Sequence, residues 1–285
     1  MFSKRGKLGC MARDILTDEQ WKRLHAVLPP QKPKTGHPAK DHRLVVNGIL
    51  WILRTGAPWR DLPTEYGPWQ TIATRFYRWV KAGVWDRVLA TLQRQAEIEG
   101  ALDWSLHHVD GTMIRAHQHA AGAQEKRSQA TETEEHADEA LGRSQGGFTT
   151  KIHLRAEGTG KPIAFLITAG QRHEQSVFET LMEQGAVNRP GRGRPHIRPD
   201  RVTGDKGYSS RKIRRYLLRR GIGVVIPRQK RERRSRVDKA AYRKRNLVER
   251  LVNRLKSFRR VATRYEKRAI NYLGMLTVAA IVLWL

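Results

Sequence analysis

The fold is decided by a hairpin pattern at residues 146–170, which read GGFTTKIHLRAEGTGKPIAFLITAG. Apolar residues recur at even spacings in both halves of this stretch, at Phe148, Ile152 and Leu154 and then at Ile163, Phe165 and Ile167. Even spacing places side chains on one face of a strand, and residues 157–161, EGTGK, are typical of a turn. We therefore predict an antiparallel pair of strands near the middle of the chain.

Patterns on both sides of the hairpin extend it into a sheet flanked by helices. One strand is predicted before it, within residues 105–112 (SLHHVDGT) and ending at Asp110. Two more follow, one ending at Asp205 and one at residues 222–227 (IGVVIP). Helices are predicted at 174–184, 210–220, 240–260 and 267–285. Three strands followed by helices alternating with strands predict an α/β fold with a mixed sheet.

The preceding residues, 13–100, predict a small all-helical domain. Its helices are expected at 17–30, 41–55, 69–81 and 84–95. Thr17 is a good N-cap, because its side-chain oxygen can accept a hydrogen bond from a free amide of the first turn. The third helix would present a polar face of Gln70, Thr71, Thr74, Arg75 and Arg78. That face fits a helix–turn–helix-like DNA module, and it fits equally a helical bundle with ordinary surface arginines.

The chain has 285 residues, of which 39% are hydrophobic, enough to bury a real core. Residues 1–12 are expected to be a flexible extension, because the sequence from Met11 reads like a natural start. The helical domain would follow at 13–100. A sheet domain would occupy 103–285 and carry a polar loop insertion at 122–146, since that stretch lacks apolar periodicity.

Charge and cysteine content narrow the function classes. Lys and Arg number 55 against 27 Asp and Glu, a net charge of +28. A polyanionic partner is the natural explanation, nucleic acid first, with an anionic membrane surface and a ribosomal-type structural role as alternatives. The single cysteine, Cys10, excludes an intrachain disulfide framework, a cysteine zinc finger and an iron–sulfur cluster. The apolar residues 273–285 are fewer than the ~20 that span a bilayer, so we predict a buried terminal helix and no membrane partner.

Three acidic residues stand apart from the others. Asp110 and Asp205 end predicted strands, and each is followed within two residues by a glycine that lets the backbone come close to a bound group. Glu249 lies on a strongly basic predicted helix, where Tyr242, Arg245 and Lys256 share its face at spacings of three, four and seven. A carboxylate among cations is unexpected unless a doubly positive group sits beside it, so a divalent metal is the obvious candidate.

The spacing Y-(2)-R-(3)-E-(6)-K is met without a gap by Tyr242, Arg245, Glu249 and Lys256. With it, the stretches VDGTMIRAHQHAAGA, GRSQGGFTTKIH, DKGYSSRKIRRYL and GAPWRDLP resemble the DDE transposases of bacterial insertion sequences, most closely the insertion sequence 5 family. The resemblance runs from about residue 14 to 285. It implies an RNase H-like (retroviral integrase-like) catalytic fold preceded by a helical domain.

The resemblance also implies a chemistry. Asp110, Asp205 and Glu249 would be the catalytic triad and would hold two Mg²⁺ (or Mn²⁺) ions, which prefer oxygen ligands. Water would first cut at a transposon end, and the freed 3′-hydroxyl would then attack target DNA. Tyr242, Arg245 and Lys256 would contact the DNA end. Further DNA contacts are predicted at Arg75, Arg78, Arg233, Arg234, Arg259 and Arg260.

Other functions remain open at this stage. A catalytically silent DNA-binding derivative, such as a repressor of its own element, would keep the same residues, and a metal-dependent nuclease would share the fold. His117 and His119 could bind a metal, but two-residue spacing favours packing or DNA contacts. The expected partners are double-stranded DNA (terminal inverted repeats and target) and at least one further copy of the chain. The expected location is the bacterial cytoplasm, at the nucleoid.

Overall fold

A computed structural model describes residues 16–31, 41–121, 139–144, 147–191, 193–228 and 238–285. Its first part is helical, as predicted. The four helices are α1 (Asp18–His25), α2 (His42–Thr55), α3 (Trp69–Lys81) and α4 (Val84–Ile98). Two single 3₁₀ turns, Trp59–Asp61 and Thr64–Tyr66, join α2 to α3.

Local signals explain the ends of these helices. Thr17 and Gln20 form a reciprocal capping box at the start of α1, which confirms the predicted N-cap. Asp41 caps α2, which ends at Gly56 in the left-handed conformation, φ +69°. The helix α1 ends at His25 rather than at the prolines, so the first prediction was too long by several residues.

The second part is a mixed sheet, with seven strands among the residues that the structure describes. Its strands are β1 (His107–Ala116), β2 (Gly142–Ser144), β3 (Gly147–Ala156), β4 (Pro162–Ala169), β5 (Arg201–Thr203), β6 (Gly223–Val225) and β7 (Thr263–Arg264). The main spatial order is β4-β3-β1-β5-β6, while β2 pairs with the start of β3 and β7 with the end of β1. The pairs β1–β3 and β3–β4 are antiparallel and β1–β5 is parallel, so the predicted hairpin and mixed sheet are confirmed.

The central strand β1 is longer than predicted. It runs through Asp110 to Ala116, because β3 pairs with it along residues 108–115. On its other edge, β5 pairs only with residues 107–108 and β7 only with residues 115–116. Asp110 therefore lies inside a strand, at a gap between two short neighbours, and not at a strand end.

Short helices cover the sheet and complete the chain. They are α5 (Gln118–Ala121), α6 (Phe178–Glu183), α7 (Arg211–Arg219), α8 (Lys239–Arg243), α9 (Asn246–Lys256), α10 (Arg259–Ala262) and α11 (Ala269–Trp284). The prediction of one helix over 240–260 is wrong. The amides of Lys244 and Arg245 bond three residues back, and Phe258 is extended, so the segment divides into α8, α9 and α10.

The terminal helix α11 is buried almost all round, which confirms that prediction. It packs against α4, α3 and α2 on one side and against β4 on another, so helices and sheet share one continuous core. Gly274 is required at the closest approach, because a Cβ there would lie 2.5 Å from Val80 Cγ2. Among the described residues, no helix has both the length and the apolar character needed to cross a membrane.

Two predicted segments lie wholly or partly outside the described residues. The extension 1–12 and residues 122–138 of the predicted insertion lie outside the described ranges. The rest of that insertion is not all loop, because residues 142–144 form β2. Glu139 accepts a hydrogen bond from the first amide of α11, Ala269 N, at 2.5 Å. This end of the predicted insertion is therefore attached to the core of the protein.

A buried ion pair joins the helices to the sheet. The Arg260 Nε donates to Glu266 Oε1 at 2.7 Å, with side chains 7% and 1% exposed. The Arg260 Nη1 also donates to Ala57 O, just after α2. Arg264, fully buried, donates to Thr150 Oγ1 on β3 and to Glu266 O. We call Arg260, Arg264 and Glu266 the internal charge cluster.

Candidate active site

The gap on the edge of β1 places Asp110 where no other strand covers it. Its carboxylate is partly buried, and Oδ1 accepts from Gly111 N at 2.9 Å. The helix α9 packs on β1 and β3, while β5 ends beside residue 108. Asp110 thus faces the end of β5 on one side and α9 on the other.

Asp205 lies two residues beyond the end of β5. Its Oδ1 accepts from Gly207 N at 2.9 Å and caps the 3₁₀ turn Lys206–Tyr208. Because β5 is parallel to β1, the chain leaves it toward Asp110. Asp205 was predicted to end this strand, and it lies just past its end.

Glu249 lies in the first turn of α9. The Arg245 Nη2 donates to Glu249 Oε1 at 2.5 Å, and Arg245 Cζ lies 5.8 Å from the centre of the Tyr242 ring. Although the helix is broken between Tyr242 and Glu249, these three side chains remain in one chain of contacts. Arg245 is the last residue of the short link between α8 and α9.

The charges of Asp205 and Glu249 affect the pKa of Asp110. The pKa of Asp110 is raised to about 6, first by burial and then by the charges of Asp205 and Glu249, while Gly111 N–H and Arg245 oppose the shift. Burial is the largest cause, and the smaller contributions of Asp205 and Glu249 indicate that both carboxylates lie in the neighbourhood of Asp110. The Arg245 guanidinium lies near these carboxylates and pairs with Glu249.

One acidic residue at this edge was missed by the sequence reasoning. Glu174 lies in the 3₁₀ turn Glu174–Ser176 after β4, where its Oε1 pairs with Lys151 Nζ at 2.8 Å. A Cβ on Gly111 would lie 3.2 Å from Glu174, and one on Gly207 would lie 2.7 Å from its Oε2. The glycines after the two aspartates were predicted to make room for a bound group, and Glu174 occupies part of that room.

The donor set fits a divalent cation by its chemistry, since hard cations such as Mg²⁺ prefer carboxylate oxygens. The three carboxylates do not yet converge on one ion position. Within the described ranges, no three or more His, Cys, Asp or Glu side chains lie close enough together to hold a metal. Asp205 is held by Gly207 N and Glu249 by Arg245. Any ion would have to draw these carboxylates from their present partners.

The residues predicted to contact DNA differ in their exposure to solvent. Lys256, partly exposed, ends α9 at about 10 Å from Glu249 along the axis, given ~1.5 Å per residue. Arg259 is exposed, whereas Arg260 is 6% exposed and bound to Glu266 and Ala57 O. The prediction that Arg260 contacts DNA is therefore wrong, because its guanidinium is used inside the core. Arg233 and Arg234 lie outside the described residues.

The polar face of α3 is present as predicted. Gln70, Thr71, Thr74, Arg75 and Arg78 line one shallow surface groove of about 290 Å³. Arg75 is fixed there, since its Nη1 lies 3.0 Å from His42 Nε2 and its Cζ lies 5.6 Å from the Trp79 ring centre. Arg78 is exposed.

The histidines near β1 are part of the packing. His107 and His108 are fully buried, and Arg155 Nε donates to His107 Nδ1 at 3.0 Å. His117 accepts from His119 N and packs on the Tyr265 ring. In the part of the chain that the structure describes, neither pair belongs to a group able to hold a metal.

A mixed sheet flanked by helices, with an uncovered gap on the edge of its central strand at Asp110, is an α/β arrangement of the RNase H-like kind. The family model "Transposase DDE domain" matches residues 107–285, more than half of the chain. The chain therefore belongs to the DDE transposase family. A second model, "Putative transposase of IS4/5 family", matches residues 16–89.

Curated relatives agree with this assignment. The protein is 33% identical over 120 residues, 42% of this chain and 55% of the relative, to a Burkholderia cepacia protein named "Putative transposase for insertion sequence element IS402". It is 38% identical over 112 residues, 37% of this chain and 76% of the relative, to the "Insertion element IS402 uncharacterized 16.2 kDa protein" of the same organism. Identity to "Uncharacterized protein y4sN" of Sinorhizobium fredii is 41% over 110 residues, 39% of this chain and 83% of that protein.

A solved structure, the piggyBac transposase synaptic complex with hairpin DNA, aligns with 96% of this chain and 73% of that chain. The TM-score is 0.41 and the sequence identity 11%.

Proposed function

We propose that this protein is an active transposase that binds the terminal inverted repeats of an insertion sequence, cleaves the element ends and joins them to target DNA. The observation that supports the proposal is that Asp110, at the uncovered gap of β1, lies near Asp205, in the turn after β5, and Glu249, on α9. Burial, with smaller contributions from the charges of Asp205 and Glu249, raises the pKa of Asp110 to about 6, and strongly shifted carboxylates are found preferentially at functional sites.

The chain's own groups suit phosphodiester chemistry. Asp110, Asp205 and Glu249 are the residues that would hold two Mg²⁺ or Mn²⁺ ions. When bound, such ions activate the attacking oxygen and stabilise the leaving oxygen. Asp110 is held in place by the backbone of β1, and Arg245 restrains Glu249. The break between α8 and α9 sets Arg245 within reach of a phosphate that approaches the acids.

Cations around the site supply the affinity for DNA. Lys256 and Arg259 are accessible on the C-terminal side of α9, and α3 presents Arg75 and Arg78 in its groove. With a net charge of +28, backbone contacts of this kind give strong, salt-dependent binding. Two ends must be brought together for joining, so we propose a dimer or larger assembly on DNA, acting at the bacterial nucleoid.

The test is cleavage of labelled DNA that carries the inverted repeats flanking this gene, in Mg²⁺ or Mn²⁺ and in EDTA. The wild type should nick at the repeat ends only with metal. Asp110→Ala, Asp205→Ala and Glu249→Ala should each lose at least about 100-fold, more than the loss of an outer residue of a metal site, yet still bind the DNA. Glu99→Ala, on the exposed end of α4, is the matched control and should cleave normally.

The alternative is a silent, regulatory DNA-binding derivative. Tight binding of the repeat ends by the wild type without nicking in either metal would establish that alternative. Metal-dependent cleavage that persists in Glu249→Ala would instead remove Glu249 from the triad.

A further inference from the structure

Glu174 approaches the acidic edge from the side opposite to Asp110. Side chains alternate along a strand, so the Cβ position of Gly111 points to the other face of β1 from the Asp110 carboxylate. Glu174 lies against that position, at 3.2 Å. Asp110 and Glu174 therefore approach the loop after β5, which carries Asp205, from opposite faces of the sheet.

The distance between Glu174 and Asp205 can be bounded. The point where a Cβ on Gly207 would lie is 2.7 Å from Glu174 Oε2 and 2.9 Å from Asp205 Oδ1, so those two oxygens are at most about 5.6 Å apart. A hard cation binds oxygens at ~2.0–2.6 Å, so a small movement of either side chain would let both reach one ion.

The turn that carries Glu174 is fixed to this loop. Gln175 Nε2 donates to Gly207 O at 2.8 Å. The other oxygen of Glu174, Oε1, pairs with Lys151, whose side chain is 14% exposed. One oxygen of Glu174 is therefore neutralised by Lys151, and the other faces Asp205.

A buried tyrosine hydroxyl, that of Tyr208, supports the same site. Tyr208 is 1% exposed, and among the described residues its Oη has no hydrogen-bond partner. The pKa of Tyr208 is raised well above its usual value, first by burial and then by the charges of Glu174, Asp110 and Asp205. A buried unpaired hydroxyl among carboxylates is costly unless a further group completes the arrangement.

We propose that Glu174 is a fourth acidic residue of the active site, which binds a divalent cation together with Asp205, with Lys151 as the counter-ion that it releases. The inference rests on the proposed function. It predicts opposite effects for the two members of the ion pair: loss of Glu174 weakens metal binding, while loss of Lys151 strengthens it.

The experiment is calorimetric titration of the full-length protein, without DNA, with Mn²⁺. Glu174→Gln should weaken the affinity for Mn²⁺ by about tenfold or more. Lys151→Met should tighten it, by up to about fivefold for a partly exposed pair. Glu179→Gln is the matched control, since Glu179 pairs with Lys212 at 3.4 Å on the neighbouring helix α6 and should leave the affinity unchanged.

A purely structural ion pair gives another pattern, in which both variants lower the melting temperature alike and neither changes Mn²⁺ affinity. That result would overturn the inference. If Asp205→Asn lost Mn²⁺ binding while Glu174→Gln kept it, the inference would fail and the proposed function would stand. Absence of Mn²⁺ binding by the wild type would overturn both. Lys151→Met keeps Glu174 intact, so it decides the question even if Glu174→Gln does not fold.

Discussion

Two groups of charged residues in this protein are built in opposite ways. In the internal charge cluster, Glu266 is 1% exposed and lies between two arginines that bond to it or to its backbone. At the edge of β1, Asp110, Asp205, Glu249 and Glu174 are partly exposed, and Arg245 and Lys151 pair with two of them. In the first group the acid is paired with a cation inside the fold, whereas in the second the acids outnumber those two cations. The difference separates a charge that holds the structure together from charges available to a bound cation.

The largest effect on stability is expected from Glu266→Ala. The change leaves Arg260 buried beside Ala57 O without its carboxylate, which should lower the free energy of unfolding by about 3–5 kcal/mol. Urea unfolding followed by circular dichroism measures it. The control is Glu183→Ala, which breaks the exposed pair with Arg220 and should cost less than about 1 kcal/mol. Equal losses in the two variants would remove the distinction between the groups.

A smaller effect of opposite sign is expected from Asp110→Asn. The pKa of Asp110 is about 6 in the folded protein, above the usual 3.8, so ionisation of this group disfavours folding. The variant should be more stable than the wild type by about 1–2 kcal/mol above pH 7, while cleavage is lost. The difference should shrink as the pH falls from 6 to 4, because both proteins are then neutral at this position.

Thermal unfolding in metal-free buffer at several pH values measures this gain. An Asp110→Asn variant that is less stable than the wild type at pH 8 would show that Asp110 is paired as firmly as Glu266.

The smallest effect separates Lys256 from Arg260, four residues away. Lys256 is accessible, so Lys256→Ala should reduce the slope of log K for DNA binding against log salt by about one. It should also weaken binding to the repeat ends more than to random DNA. Arg260→Ala should change stability and leave the slope unchanged, because the guanidinium bonds to Glu266 and Ala57 O. Binding isotherms at several salt concentrations decide between them, and a reduced slope in Arg260→Ala would contradict its placement in the core.

Local patterns predicted much of this fold. The hairpin β3–β4, the cap at Thr17 and the buried helix α11 all follow from short-range periodicity and capping. The continuation of β1 past Asp110 depends on pairing with β3, more than thirty residues later, which no local pattern records. The breaks in 240–260 likewise depend on how α8, α9 and α10 pack on separate neighbours.

Local sequence patterns likewise predicted only part of the candidate site. The spacing of Tyr242, Arg245, Glu249 and Lys256 was visible because these residues are close in sequence. Glu174 lies five residues beyond a strand, in a turn with no motif of its own, and its meeting with Gly207 is a tertiary contact. A possible signal was the pair of glycines, Gly111 and Gly207, since each leaves space that another side chain can fill.

The position of α11 has a consequence for how the protein is made. Arg23, on α1, donates to Leu285 O at 3.0 Å across 262 residues of chain, and α11 covers the apolar sides of α2, α3 and α4. On the ribosome, those helices emerge first and wait with uncovered surfaces until α11 has been synthesised. A nascent or prematurely terminated chain therefore lacks the finished core that carries the acidic edge until its translation reaches α11.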